Sequence, residues 1–333
     1  MSTLKPSVPL AEVRVSCPVR GCRVEVPYQE FPARATREYQ CPVHRIYLAA
    51  GSFRYERETD NLLWAGRDSL NLLNTVRASL RGMSLGFDLS EEAVTWNVFG
   101  WLDRAGLLAE LLEGWSERSV LGAEAWYWGY SRVLDAVPPA LRRARIALGE
   151  DETNGDLPTA PPVMVEAEDA LYLLDTRIVS FRGTEAGNRP AMSGGDEGGR
   201  WAEEVLEPGW QAVLPQRAAN ELIRYWLVGS YAAKLVEKDF VLVHVVPRWA
   251  GEGAAPQVWP YLRGTGRREL RVACWEDVYE LACDRPGAPD SAALRTYMEE
   301  KSAGYDSSGR LLRCFSLASA GSPVAGASVT RVS

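Results

Sequence analysis

The stretch VMVEAEDALYLLDTRIVSF, residues 163–181, decides the fold class. It contains two apolar runs around a polar break at 166–169, which is the pattern of two strands joined by a turn. Downstream, FVLVHVV (240–246) is typical of a buried strand, and 270–273 is a second, shorter one. Residues 210–237, between these runs, have apolar side chains at helical spacing. Strands and helices in this order predict an α/β protein with a mixed sheet.

Upstream of this stretch the pattern is helical. Residues 60–82 and 90–112 carry apolar residues at helical spacing, and Ser90 is a good N-cap because two glutamates follow it in the first turn. Helical character continues over 116–148, with a kink expected at Pro138 and Pro139. Two short C-terminal helices are also expected, at 275–283 and 291–301.

Near the N-terminus, two short motifs have the spacing of a zinc site. The motifs are CPVRGC, with Cys17 and Cys22, and CPVH, with Cys41 and His44. Each motif can bring two side chains to one tetrahedral ion from a tight turn, and thiolate and imidazole are the ligands that structural zinc prefers. Because all four ligands come from the protein, we predict a closed structural zinc site. The interval between the motifs is long enough for a short hairpin.

These patterns divide the chain into six segments. The acidic, proline-containing stretch GEDETNGDLPTAPP is interpreted as a linker, and residues 182–199 are interpreted as a glycine-rich loop. The predicted segments are a flexible tail (1–12), a zinc-binding lobe (13–58), a helical region (59–148), the linker (149–162), an α/β core with a C-terminal extension (163–317) and a disordered tail (318–333).

Composition limits the location and partners of the chain. A hydrophobic fraction of 46% is that of an ordinary globular protein, and no apolar run is long enough for a membrane span. The N-terminus lacks the pattern of a signal peptide, so a cytoplasmic protein without a membrane partner is expected. The net charge of −7 provides no global attraction for nucleic acid. Two basic clusters could still contact DNA or RNA: Arg142, Arg143 and Arg145, and Arg263, Arg267 and Arg268.

Four stretches resemble a known family. They are CPVHRIYLAAGSFRYERETDNLLW (41–64), LSEEAVTWNVFGWLDRAGLL (89–108), EDALYLLDTR (168–177) and YMEEKSAGYDSSGRLLRCF (297–315). They look like a bacterial family of restriction-endonuclease-like proteins, in which a zinc knuckle precedes a nuclease domain of the PD-(D/E)xK superfamily. The resemblance covers most of residues 15–317. It implies a zinc-ribbon-like lobe before a restriction-endonuclease-like mixed-sheet core with extra helices, and DNA cleavage with divalent metal.

The resemblance places the nuclease motif on Asp175 and Arg177, and the helix glutamate on Glu91 or Glu92. Cleavage needs two acids that hold Mg²⁺ and a lysine two residues after the second acid. Arg177 is a poor replacement for lysine, because its guanidinium is bulkier and stays protonated. If the hairpin turns near residue 168, position 161 or 162 faces Asp175, and both positions are proline.

Other acids offer little help to that site. Asp169 is the nearest acid on the same side of the turn as Asp175, but about 20 Å of strand separates the two residues. Glu166 is a weaker candidate on the preceding strand. We therefore expect a degenerate nuclease site, with Mg²⁺ bound only if the protein is active.

Three functional hypotheses follow from the sequence. The first is an inactive nuclease-like protein that binds nucleic acid, a protein partner or both, as a subunit of a bacterial defence or mobile-element system. The second is an active Mg²⁺-dependent endonuclease with an unusual Asp-x-Arg site. The third is a structural adaptor that does not contact nucleic acid.

Overall fold

The computed structural model describes residues 14–29, 34–49, 51–79, 83–150, 159–178, 196–253, 255–305 and 311–317. Its strands are β1 (Arg14–Ser16), β2 (Glu25–Pro27), β3 (Tyr47–Leu48), β4 (Phe53–Arg54), β5 (Glu124–Tyr127), β6 (Tyr130–Ser131), β7 (Val163–Glu166), β8 (Ala170–Thr176), β9 (Asp239–Val246), β10 (Arg268–Cys274), β11 (Ser302–Tyr305) and β12 (Leu311–Arg313). Its helices are α1 (Arg67–Ser79), α2 (Glu91–Ala105), α3 (Leu108–Ser116), α4 (Pro139–Ala147), α5 (Asp196–Val205), α6 (Arg217–Leu235), α7 (Ala255–Val258), α8 (Trp275–Asp284) and α9 (Ser291–Glu300).

A six-stranded mixed sheet forms the centre of the molecule, in the order β10-β9-β8-β7-β5-β6. Strands β5, β7 and β8 form an antiparallel meander, whereas β9 is parallel to both β8 and β10. A parallel neighbour needs a crossover connection, and the chain between β8 and β9 includes the long helix α6. The α/β class predicted from the sequence is therefore confirmed.

Strand β8 is buried on both faces, and its side chains alternate between two cores. Tyr172 and Leu174 pack in the core that contains α2, whereas Leu171 and Leu173 pack in the core that contains α6. This alternation follows from the two-residue period of a strand. It places the next odd-numbered residue, Asp175, on the α6 face of the sheet.

Several predicted elements agree with the structure. Strand β9 covers the predicted run 240–246, and β10 covers 270–273. Ser90 caps α2, because its hydroxyl accepts a hydrogen bond from the backbone N–H of Ala93 at 3.0 Å. Helices α8 and α9 lie at the positions expected for the two C-terminal helices.

The helical prediction for 116–148 is wrong over its middle part. The structure has the hairpin β5–β6 there, and helix begins again only at Pro139. The hairpin turns through Trp128 and Gly129, whose φ angles are 50° and 78°. A two-residue turn with two positive φ angles matches the twist of the strands, and the flanking aromatic residues favour strand over helix. The predicted kink is thus a helix start, where proline is well tolerated.

Most of the predicted linker at 149–162, namely 151–158, lies outside the described residues, and the chain on its two sides belongs to one sheet. Strand β5, before it, pairs with β7, after it, in the same sheet. The two ends of the segment are also joined by buried hydrogen bonds. The Thr159 backbone N–H donates to the Glu150 carboxylate at 2.7 Å, and Arg224 of α6 forms an ion pair with the same carboxylate. We call this group, Glu150, Thr159 and Arg224, the clasp.

Other predicted segments lie at the limits of the described chain. The predicted tails 1–12 and 318–333 are outside the described residues. Most of the predicted loop 182–199 is also outside the described residues. The last four residues of that predicted loop form the start of helix α5. None of the described helices is long and apolar enough to cross a bilayer.

The N-terminal lobe contains two small antiparallel sheets, β1–β2 and β3–β4. The described residues between the two zinc motifs, 23–29 and 34–40, do not pair with one another as the expected hairpin. Instead, β2 pairs with β1, so the hairpin encloses the Cys17–Cys22 turn. Val26 of β2 lies opposite Val15 of β1, and both side chains are buried.

A buried ion pair between two segments outside the lobe also contacts the lobe. Lys301, between α9 and β11, donates to the Asp88 carboxylate at 2.8 Å and to the Asn61 side chain at 2.6 Å. The Lys301 and Asp88 side chains are each only 2% exposed. Asp88 also accepts hydrogen bonds from Ser302 and from Tyr55, which follows β4 of the lobe. This group ties three distant parts of the sequence together.

Replacing Lys301 with methionine should destabilise the protein by about 3–5 kcal/mol, because the Asp88 carboxylate would stay buried without its cation. Urea unfolding followed by circular dichroism measures the change. Arg132→Met is the control, since its ion pair with Asp103 is largely exposed and should contribute less than about 1 kcal/mol. Equal effects of the two substitutions would contradict this prediction.

Candidate functional site

Cys17, Cys22, Cys41 and His44 meet in the N-terminal lobe. Their ligand atoms all lie within 4.8 Å of one another. The Sγ atoms of Cys22 and Cys41 are 3.9 Å apart, and His44 Nδ1 lies 3.4 Å and 3.6 Å from the Sγ atoms of Cys17 and Cys41. Atoms bound to one tetrahedral zinc at 2.0–2.3 Å are separated by about 3.5–3.8 Å. The four side chains, which we call the cage, are therefore close enough together to bind one metal ion.

Two tight turns hold these ligands. In the first, Gly21 has a φ of 82°, and the backbone N–H of Cys22 donates to the Val19 carbonyl at 3.0 Å. In the second, Arg45 has a φ of 59°, and its N–H donates to the Cys41 carbonyl at 2.8 Å. The left-handed backbone at Gly21 carries no steric cost for glycine. The turns fold the chain back so that both ligands of each motif point inward.

The thiols of the cage differ in acidity. Burial raises the pKa of Cys17 to about 12. Burial acts in the same direction on Cys41, but hydrogen bonds from the backbone of His44 and Val43 outweigh it and lower its pKa to about 7. A bound cation would stabilise both thiolates. The donor set, three sulfurs and one imidazole nitrogen, fits zinc, and its four members leave no open position for catalysis.

A second cluster of charged side chains lies at the carboxyl ends of β8 and β9, which are parallel. Asp175 is completely buried and is paired in register with His244 of β9. The Asp175 carboxylate is 2.7 Å from His244 Nδ1 and accepts hydrogen bonds from the Arg177 guanidinium at 2.8–2.9 Å. The buried carboxylate is thus compensated on both sides.

Two more acids approach the same guanidinium. Glu221 of α6 forms an ion pair with Arg177 Nη2, and Glu91 at the start of α2 lies 3.7 Å from Arg177 Nη1. Glu91 also accepts a hydrogen bond from the Ile178 backbone N–H at 3.1 Å. Arg177 is therefore surrounded by three carboxylates, from a strand and two helices. We call Glu91, Asp175, Arg177, Glu221 and His244 the buried charge cluster.

The cluster shifts the pKa values of Asp175 and Glu91 in opposite directions. Burial disfavours the charged form of Asp175, but Arg177 and His244 outweigh it and lower its pKa to about 2. Burial raises the pKa of Glu91 to about 7, despite the opposing effect of Arg177. Burial also lowers the pKa of Arg177, but the three acids dominate and raise it well above its usual value. Arg177 therefore remains a permanent cation.

The geometry of this cluster does not match a ready Mg²⁺ site. Within the part of the chain that the structure describes, only the Cys/His cage brings three or more metal-ligating atoms within 4.8 Å of one another. In the buried charge cluster the acids instead contact the guanidinium of Arg177. A cation already lies where a divalent metal would have to bind its carboxylates.

The remaining predicted site residues lie apart from this cluster or turn away from it. Asp169 is exposed at the turn between β7 and β8, at the opposite end of β8 from Asp175. The Glu92 carboxylate accepts a hydrogen bond from the Ser90 hydroxyl at 3.0 Å. Val163 pairs with Leu174, so extending the register by one residue places Pro162 opposite Asp175.

The arginines predicted to contact nucleic acid have varied environments. Arg145 is buried and donates to the Thr159 carbonyl at 2.9 Å, so it is not a surface contact. Helix α4 packs mainly against α6, and this distant contact could not be inferred from the local sequence around Arg145. Three of the other predicted arginines form ion pairs with acids: Arg263 with Glu207, Arg267 with Asp239 and Arg268 with Glu204. Arg142 and Arg143 are exposed on α4.

Two members of the buried charge cluster were missed by the sequence analysis. His244 is buried inside an apolar strand, where a histidine needs a polar partner, and this requirement was the available signal. Glu221 gave no signal, because its approach to Arg177 depends on how α6 packs on the sheet.

Comparison of the chain with family models, with curated proteins and with solved structures gives no significant match. The cage and the buried charge cluster are therefore interpreted from their own geometry.

The purified protein should contain one equivalent of zinc, and Cys41→Ser should reduce it at least fivefold, because three ligands hold zinc less tightly than four. Plasma mass spectrometry of the metal content measures this. Cys283→Ser, which changes a cysteine outside the cage, should retain the metal. A full equivalent of zinc in Cys41→Ser would exclude the four-ligand site.

Glu91 should make the protein less stable as the pH rises. Between its ordinary pKa of 4.5 and about 7, the folded state holds a proton that the unfolded chain has released. The free energy of unfolding should therefore fall by roughly 1–3 kcal/mol from pH 5 to pH 7.5, and Glu91→Gln should reduce this fall. Burial also raises the pKa of the neighbouring Glu92, so a smaller fall should remain in the variant. Asp175 does not contribute to this pH dependence, because its lowered pKa changes the stability only below pH 4.

Urea unfolding at the two pH values tests this expectation. Glu280→Gln, on a largely exposed side chain, serves as the control and should retain the wild-type pH profile. An unchanged profile in Glu91→Gln would show that another group is responsible.

Proposed function

We propose that this protein is a nuclease-like protein without catalytic activity that binds nucleic acid, and that it works with protein partners in a bacterial defence or mobile-element system. The observation that carries the loss of activity is the position of Arg177. Its guanidinium contacts Asp175 and Glu221 and lies close to Glu91, which are the acids nearest the expected metal position.

The chemistry of hydrolysis explains why this arrangement is unfavourable. A nuclease of the expected type needs at least two carboxylates that bind Mg²⁺, which in turn orients and activates water. Here the carboxylates already neutralise a fixed cation that cannot release a proton. Expelling the guanidinium would leave its charge buried without partners, so Mg²⁺ would compete poorly for the site.

The order of elements supports the nuclease-like interpretation. Helix α2 precedes an antiparallel meander of β5, β7 and β8, and α6 then leads to the parallel strand β9. With α3, β6, α4 and α5 taken as additions, this order is compatible with the αβββαβ core that the sequence resemblance implies. The Asp-x-Arg motif lies at the end of the third strand of that set, where the resemblance would place it.

One observation favours the alternative of an active endonuclease. Three carboxylates approach one position at the carboxyl ends of parallel strands, which is a common location for ligand sites in α/β sheets. Movement of Arg177 toward a bound phosphate would free these acids for metal. The cleavage experiment distinguishes the two functions.

Wild-type protein should leave supercoiled plasmid intact in the presence of Mg²⁺ or Mn²⁺, because Arg177 neutralises the acids. Agarose electrophoresis over several hours measures cleavage, and Asp175→Asn should behave identically. Cleavage by the wild-type protein that disappears in Asp175→Asn would establish the active alternative. Cleavage that persists in the variant would indicate a contaminant or a different site.

The binding half of the proposal has its own measurement. The full-length protein should shift labelled DNA or RNA, single- or double-stranded, in a native gel at low salt. Failure to shift any of these four would overturn nucleic-acid binding and favour the structural adaptor.

A further inference from the structure

The two turns that hold the zinc ligands form a shallow, exposed depression beside the cage. Arg20, Arg23 and Val24 from the first turn line it, together with Val43 from the second. The ligands Cys22 and His44 form its floor. Val43 is 65% exposed, although valine is usually buried. We call Arg20, Arg23 and Val43, with the neighbouring exposed Val19, the knuckle face.

The arginines of the knuckle face have no acidic partner in the described part of the chain. Arg20 and Arg23 are both exposed, and neither forms an ion pair with a described residue. Arg45, close by, differs because it pairs with Glu56 at 3.2 Å. Two guanidinium groups that are not neutralised are therefore presented next to apolar side chains on one surface.

Charge is distributed unevenly along the chain. The lobe, residues 13–58, contains eight arginines, five glutamates and no lysine or aspartate, which gives a net charge of +3. The whole chain has a net charge of −7, so the remainder carries −10. An anionic polymer should therefore approach the lobe and be repelled by most of the remaining surface.

The chemistry of the knuckle face fits a phosphate backbone. Guanidinium groups bind phosphate oxygens with two parallel hydrogen bonds, and such contacts position nucleic acid without reading its sequence. Zinc holds the turns in place, so little backbone entropy should be lost on binding. The exposed valines offer apolar contact to sugars and bases beside the phosphates.

We propose that the knuckle face is the surface that binds the phosphate backbone of nucleic acid, with Arg20 and Arg23 as the phosphate contacts. This inference rests on the nucleic-acid-binding half of the proposed function and assigns its location. It replaces the predicted contacts at 263–268, which are paired with acids, and at Arg145, which is buried.

Fluorescence anisotropy with the zinc-loaded, full-length protein tests the assignment, using labelled 20-nucleotide single- and double-stranded DNA and RNA. Arg20→Gln/Arg23→Gln should weaken binding at least tenfold at 50 mM salt. It should also lower the slope of log K against log salt by about 2 on duplex DNA, since each lost phosphate contact removes about 0.9.

The matched control is Arg132→Gln/Arg285→Gln, which removes the same charge from exposed ion pairs elsewhere. It should change affinity less than twofold. Zinc content and circular dichroism confirm that each variant retains its metal and fold.

Four results would overturn the proposal. An equal loss of affinity in the control, Arg132→Gln/Arg285→Gln, would indicate a nonspecific charge effect. If Arg20→Gln/Arg23→Gln bound nucleic acid as tightly as the wild-type protein, the interface would lie elsewhere and the proposed function would still stand. A loss confined to Arg142→Gln/Arg143→Gln would place it on α4. If a poly-glutamate peptide bound equally well through Arg20 and Arg23, the face would be a site for acidic proteins.

Discussion

The arrangement of the α/β core depends on the compensation of one buried carboxylate. Asp175 lies at the carboxyl end of the central strand β8 with no exposed surface. A charge in that position requires cations and donors, and Arg177 and His244 provide them. These contacts fix the end of β8 against β9, and Glu221 connects the same group to α6. The charges that could have supported metal chemistry thus stabilise the sheet.

The lobe and the core depend on different kinds of stabilisation. The lobe has few buried apolar residues, and its two ligand-bearing turns meet at the four Cys and His side chains of the cage, which are close enough to bind a metal ion. The core has two extensive apolar clusters on the two faces of its sheet. The buried ion pair of Lys301 and Asp88 lies where the two parts meet, and Tyr55 of the lobe donates a hydrogen bond to it. Contacts of this kind add less net stability than apolar packing, but they are specific for one arrangement.

The sequence predicted features that depend on local patterns. The ligands of the cage, the cap at Ser90 and strand β9 are all specified by residues close together in the chain. Features that depend on distant packing were not predictable. The pairing of β5 with β7 across residues 149–162 is one example, and the approach of Glu221 to Arg177 is another. Composition alone made the intervening segment resemble a linker.

The clasp has a consequence for how this chain can vary. Glu150 and Thr159 are bound to each other and to Arg224, so the entry and exit points of the segment between them are fixed by the core. The number of residues between two anchored ends has only a weak effect on the free energy of closing a loop. Related proteins could gain or lose residues there, or accept an inserted reporter domain, while the sheet on either side keeps its register.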